Sequence, residues 1–277
     1  MEAADQPQRL VREQAAAAQV QEEAARQQLA AARHWRAFWQ DLLTLLAAGQ
    51  PAGALLLLRR EADAWQQPGE TTTATGLLTS IRSTIEQQAR AQAAGFQRSF
   101  PAALQAAGVA LDATSRHPRY TVHSGFVHVD VDEQQLTATV QPRDGAAIML
   151  GMDVEPVVET IRREAQRLFD RHPDHTAVLR RLWTAYQALL QEEGRALGDA
   201  LPLRRICAHL AREAHPYAAD EFNIDLARLV QSDHTLFEGH RLQLHPTRRS
   251  RQGILLWGLE QGGYAGFISF GQEGEGC

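Results

Sequence analysis

Apolar side chains recur along this chain with two periods, and the period changes twice. From residue 8 to residue 48 it is that of a single long helix, ending at Gly49 with Pro51 just beyond, where a glycine stop and a proline block close the pattern. Trp35, Phe38, Trp39, Leu42, Leu45 and Leu46 follow one another at i, i+3, i+4, i+7, i+10 and i+11, a wide apolar stripe. In the first half of the helix the stripe thins to alanine with Val11, Val20 and Leu29, too little to bury alone, so that half projects into solvent or lies against a partner helix. A second helix is expected from Ala52 to Trp65 and a third from Thr73 to Gln97, with Phe100-Pro101 breaking it. A short helix through Leu104 and Val109 then leads to an extended, proline-containing entry, SRHPRY.

At about Arg119 the period falls from 3.6 to 2. FVHVDVD sets Val127, Val129 and Val131 on one face and Phe126, His128, Asp130 and Asp132 on the other. DEQQ offers a turn, LTATVQP alternates again, and RDGAAIML adds another turn and a short strand, which together make an antiparallel meander over 119–150. Helical spacing returns after Gly151, with Pro156 tolerated in a first turn and a stripe from Val154 to Phe169. A helix capped by Asp174 follows, then two shorter ones from Pro202 to Ala214 and from Asp220 to Val230. The C-terminus reads as strands joined by two turns: GHRLQLHP, GILLWGL and YAGFISF.

The predicted fold class is therefore α+β. An N-terminal helical bundle with a coiled-coil-like arm occupies 1–115, and a mixed domain occupies 116–277, with the meander at 119–150, helices over 153–231 and a C-terminal β-hairpin unit over 235–271.

Composition narrows the chemistry. The chain has 277 residues, 44% of them hydrophobic and 22% charged, enough apolar material for one large or two modest cores. Formal charge is -5, so there is no global positive field for nucleic acid or anionic lipid, and any such contact must be local. All 28 cationic residues counted as Lys+Arg are arginines, which excludes a GxxxxGK[ST] phosphate loop, a Schiff-base lysine and a lysine-dependent nuclease site. Only Cys207 and Cys277 occur, with no CxxC, so neither a zinc ribbon nor a disulfide framework is expected and the chain suits a reducing cytoplasm. The polar N-terminus is not a signal peptide, and the apolar stretch LLTLLAAGQPAGALLLL is split by Gly49-Gln50-Pro51 into a helical hairpin rather than a membrane span.

No set of residues converges on a reaction. His128, Asp130 and Asp132 have the types of a divalent-metal or acid/base site for a hydrolase or nuclease, but strand alternation alone explains them. His172-Pro173-Asp174-His175 and Cys207-Ala208-His209 lack zinc spacing, and no serine sits in GxSxG. Arg241, Arg248, Arg249 and Arg251 cluster round one turn, with Trp257 and Tyr264 near in sequence, a pattern that can grip phosphates and stack bases. Residues 202–230, with Arg204 and Arg205, have the spacing of a helix-turn-helix DNA reader.

The expected function is that of a non-catalytic cytoplasmic subunit without a cofactor. It would dock a larger protein, an ATPase or nuclease of a bacterial nucleic-acid-handling or defence assembly, through Val11, Val20, Leu29, Trp35, Phe38 and Trp39, with a minor DNA or RNA contact at the arginine turn. Trp35, Phe38 and Trp39 equally suit the core of the bundle.

Overall fold

A computed structural model of the chain describes residues 6–61, 72–213, 217–249, 253–256 and 264–272. The described residues form an α+β protein of seven helices and nine strands. By internal contacts the chain divides into two units, Met1–Arg90 and Ala91–Cys277, with the division inside a helix. No helix among the described residues is long and apolar enough to cross a membrane.

The first unit opens with α1 (Gln6–Ala47) and α2 (Pro51–Glu61), which form a hairpin. The turn works because Gly49 adopts φ +69°, which frees its N–H for the Leu46 carbonyl and that of Gln50 for the Leu45 carbonyl, at 3.0 and 2.9 Å. Phe38 and Leu42 of α1 are buried, as are Ala52, Ala54, Leu55 and Leu58 of α2. His34 Nε2 meets Glu61 Oε2 at 3.0 Å, joining the two helices. The part of α2 expected to reach Trp65 lies outside the described residues.

The third helix corrects one expectation. α3 runs unbroken from Thr72 to Ala106 with Pro101 inside it. Phe96, Phe100 and Leu104 stand at i, i+4 and i+8, at most 1% exposed, so the buried stripe continues across the proline. Gln97, whose carbonyl Pro101 cannot bond, is exposed and open to water, so burial outweighs the lost hydrogen bond.

In the second unit β1 (Arg119–Val122), β2 (Val127–Asp132), β3 (Thr137–Pro142) and β4 (Ile148–Gly151) form an antiparallel meander in chain order. Its register puts Tyr120 opposite Val129 and Val129 opposite Val140, so one face is apolar throughout. Phe100 packs edge-on against Tyr120 on that face, and α4 (Val154–Phe169) contacts β3 and β4. Phe126 does not share the polar face with His128: it sits in the turn before β2 and is buried with Leu168 and Ile224.

The remaining elements are α5 (His175–Glu193), β5 (Leu201–Pro202), α6 (Leu203–Leu210), α7 (Ala219–Gln231), β6 (Leu236–Phe237), β7 (His240–Thr247), β8 (Ile254–Leu255) and β9 (Tyr264–Gln272). Asp174 caps α5 as its sequence predicts, accepting from the Thr176 and Ala177 backbone N–H groups at 2.9 and 3.3 Å. The second sheet has the order β5-β9-β7-β6, with β8 also paired to β9. The C-terminal strands are not a simple meander, because β7 passes over β8 to pair with β9. β9 can serve as the central strand because its residues 264–270 alternate little and are mostly buried, as a strand paired along both edges requires. The larger core joins this sheet to α5, α6 and α7.

Candidate functional site

The polar row on β2 is the outer face of a one-sided sheet. Asp130 Oδ1 pairs with Arg119 Nε of the neighbouring strand at 3.1 Å, and both side chains are exposed. Asp132 accepts the N–H groups of Gln134 and Gln135, each at 2.9 Å, so it caps the following turn. His128 stands opposite Thr121 and Gln141. Among the described residues no three His, Cys, Asp or Glu side chains are placed to hold a metal ion. His175 and His234 touch ring to ring at 4.8 Å without a third ligand.

A serine and a histidine do meet: His245 Nε2 lies 2.8 Å from Ser269 Oγ across β7 and β9. Ser269 is buried, and among the described residues no carboxylate orients the other ring nitrogen, so the pair lacks both access and the third member that nucleophilic catalysis needs.

The predicted DNA-reading helix is closed off. Of the thirteen residues of α7 only Gln231 is exposed, whereas a groove-reading helix must present a face of side chains to the bases. On the arginine turn, Arg241 is engaged with Asp233 and Thr235, while Arg248 and Arg249 are exposed beyond the end of β7. Arg251 and Trp257 lie outside the described residues.

The structure brings together two groups of residues that periodicity passes over. The first is an ionic seam between α4 and α7. Arg167 bonds Glu164 at 2.9 Å, Glu221 at 3.1 Å and Asp220, and Arg171 bonds Glu221 at 2.6 Å and Asp225 at 2.7 Å. Tyr217 donates its hydroxyl to Asp225, and Arg228 caps the end of α4 through the Phe169 and Arg171 carbonyls. Burial pushes the Asp225 carboxyl above the usual carboxylate range, opposed by Tyr217 and the arginines, and burial also raises the Tyr217 hydroxyl. The helical spacing of Asp220, Glu221, Asp225 and Arg228 forms one arc, with Ile224 in its middle; that apolar residue amid charges is the sequence sign that the arc is covered.

The second group lines a cavity of about 380 Å³ where the β3–β4 turn, the first turn of α6 and the β8–β9 pair meet. Arg143, Asp144, Arg204, Gly253, Leu255 and Tyr264 are on its wall. Arg204 donates to the Gly253 carbonyl at 2.9 Å, and the Arg143 guanidinium lies 5.7 Å from the centroid of the Phe126 ring. A Cβ on Gly145 would come within 2.7 Å of Asp220 Oδ2 and 2.9 Å of Pro142 Cβ, so the turn that carries Arg143 is pressed onto the ionic seam.

The helical arm has an exposed face of its own. Every described position from 11 to 34 is exposed. The exposed apolar residues Val11 (69%), Leu29 (52%), Trp39 (37%) and Leu43 (66%) fall on one seam of alternating four- and three-residue steps: Val11, Ala15, Ala18, Glu22, Ala25, Leu29, Ala32, Arg36, Trp39 and Leu43. Val20 lies on the opposite side, while Phe38 faces inward and is buried.

No protein-family model matches this sequence, and comparisons with curated proteins and with solved structures returned no match.

Proposed function

We propose that this protein is a non-catalytic subunit that docks a larger protein, an ATPase or a nuclease, through the exposed face of α1. The observation that carries the reading is the ten-position seam from Val11 to Leu43. Its steps average 3.5 residues, the repeat that keeps one face of a helix against a partner helix over many turns. At about 1.5 Å per residue α1 is about 63 Å long, and a helix with so little of its surface packed gains little from its own fold. Alanines at four of the ten seam positions allow close approach, Val11, Leu29, Trp39 and Leu43 supply the burial, and Glu22 and Arg36 select a partner with complementary charges. Arg248 and Arg249 provide a smaller contact to DNA or RNA phosphates.

The test is affinity purification of the tagged full chain from its host with nuclease treatment, beside a variant lacking residues 1–33. A large partner held in stoichiometric amount by the full chain and lost from the truncated one is the expected result. A complex that survives the deletion overturns the reading. Glu22→Arg is expected to weaken the complex, and a compensating charge reversal on the partner to restore it.

A further inference from the structure

We propose that the cavity between the β3–β4 turn, α6 and the β8–β9 pair is a nucleotide-binding site, in which Arg143 and Arg204 take the phosphate and Tyr264 faces the base. The assignment is independent of docking by α1.

The first support is positive charge that is not held in an ion pair. Several arginines of this unit are engaged internally: Arg167, Arg171 and Arg228 hold α4 to α7, and Arg181 pairs with Glu213 at 2.7 Å. Arg143 and Arg204 differ. Among the described residues neither is paired with a carboxylate, although both line one cavity with Asp144 on the same wall. Two guanidinium groups facing one space make a phosphate site, since each offers a planar fork of donors and keeps its charge at any working pH.

Their positions are built. Arg204 occupies the first turn of α6 and is held by the Gly253 carbonyl at 2.9 Å, which leaves its other donors for a ligand. Arg143 sits in a tight turn closed by the Gly145 N–H on the Pro142 carbonyl at 3.0 Å, and its own N–H bonds the Phe126 carbonyl at 2.6 Å. The Phe126 ring beneath the guanidinium orients it without neutralising it.

Size and the remaining wall point past a bare anion. A volume of about 380 Å³ lies in the range of roughly 300 to 1,000 Å³ usual for small-molecule sites, far more than one phosphate fills. Half-buried Tyr264, at the start of β9, lines the cavity, and an aromatic ring is a group on which any base can stack. Asp144 would repel a second phosphate but accepts hydrogen bonds, so it suits a ribose hydroxyl or an exocyclic amine and disfavours a polyphosphate. The ligand is accordingly a nucleoside monophosphate unit, either free or within a single strand.

The site is tested by titrating the full chain calorimetrically with the four ribonucleoside monophosphates, with inorganic phosphate and with a short single-stranded oligonucleotide. Saturable nucleotide binding, weakened about tenfold by Arg143→Gln and by Arg204→Gln, is expected. Tyr264→Ala should remove the preference for nucleotide over phosphate, and Arg119→Gln, on the outer face of the other sheet, should change nothing. Tighter, salt-dependent binding of the oligonucleotide with the same arginine dependence identifies the strand as the source, and equal affinity per unit identifies the free nucleotide. Arg143→Gln keeps the test decisive if Arg204→Gln melts early, because its side chain holds no backbone group. Absence of saturable binding to either ligand, or binding indifferent to Arg143→Gln, overturns the proposal.

Discussion

His123 is held at φ +53° with its ring against Phe169 at 4.5 Å, and its Nε2 is buried without a hydrogen-bond partner. Burial pushes its imidazole below the ordinary value of 6.5, with Asp112 and Asp170 opposing. A histidine with a depressed folded-state value contributes stability that is present above the unfolded value and lost as pH falls through the folded one. The melting temperature is therefore expected to drop between neutral and mildly acidic pH, and His123→Asn, which keeps the left-handed backbone, should flatten that dependence. Asn223 makes the complementary case. It is 1% exposed, on the side of α7 away from the ionic arc, and neither side-chain amide atom has a partner. An unsatisfied buried amide costs about 1–3 kcal/mol, so Asn223→Leu is expected to raise stability by up to that amount in urea denaturation. Neither feature is visible in sequence, where a histidine in VHSG and an asparagine in FNIDLA read as ordinary turn and helix residues.

Among the elements, the legible ones are those whose own side chains settle their fate. α1 ends where Gly49 and Pro51 stop it, Asp174 caps α5, and β2 alternates as its valines require. Elements decided by distant contacts are less legible. Pro101 fails to break α3 because Phe96, Phe100 and Leu104 are buried on either side of it, and β7 bypasses β8 for β9 because β9 has two edges to fill. The β3–β4 turn is similarly set from outside, by Asp220. Gly145→Ala would force a Cβ against Pro142 and Asp220 and is expected to cost about 1–3 kcal/mol, read from denaturation midpoints. The same substitution should weaken nucleotide binding through Arg143 while leaving that of a control ligand to the N-terminal arm unchanged.

For the molecule as a whole, the arm and the α+β unit obey different energetics. In the α+β unit the helices and sheets bury one another's apolar faces, and the buried carboxylates Glu164, Asp220 and Asp225 are paired with arginines in one seam. Along α1 before Trp35 no residue whose burial is described is even half-buried, so the described part of this segment contributes little to the stability of the rest of the chain. Deleting residues 1–33 is expected to leave the principal thermal transition within about 2 °C of the intact chain, while abolishing partner capture. A large drop in that transition would show that the segment belongs to the folded core.

By itself the sequence determined the local pattern: a long helical start, the switch to strands near Arg119, the return to helices after Gly151, and the lack of lysine that excludes whole reaction classes. Period, capping and turn chemistry act over a few residues and can be read from a few residues. Only the tertiary structure decided which of the described arginines meet carboxylates and which face a cavity instead. Arg167 and Arg143 look alike in sequence, yet one lies within reach of three carboxylates and the other over a phenyl ring beside a cavity. That difference depends on contacts such as those of Arg167 with Asp220 and Glu221, 53 and 54 positions away, whose geometry is set by the packing of entire elements and leaves no periodic trace in the chain.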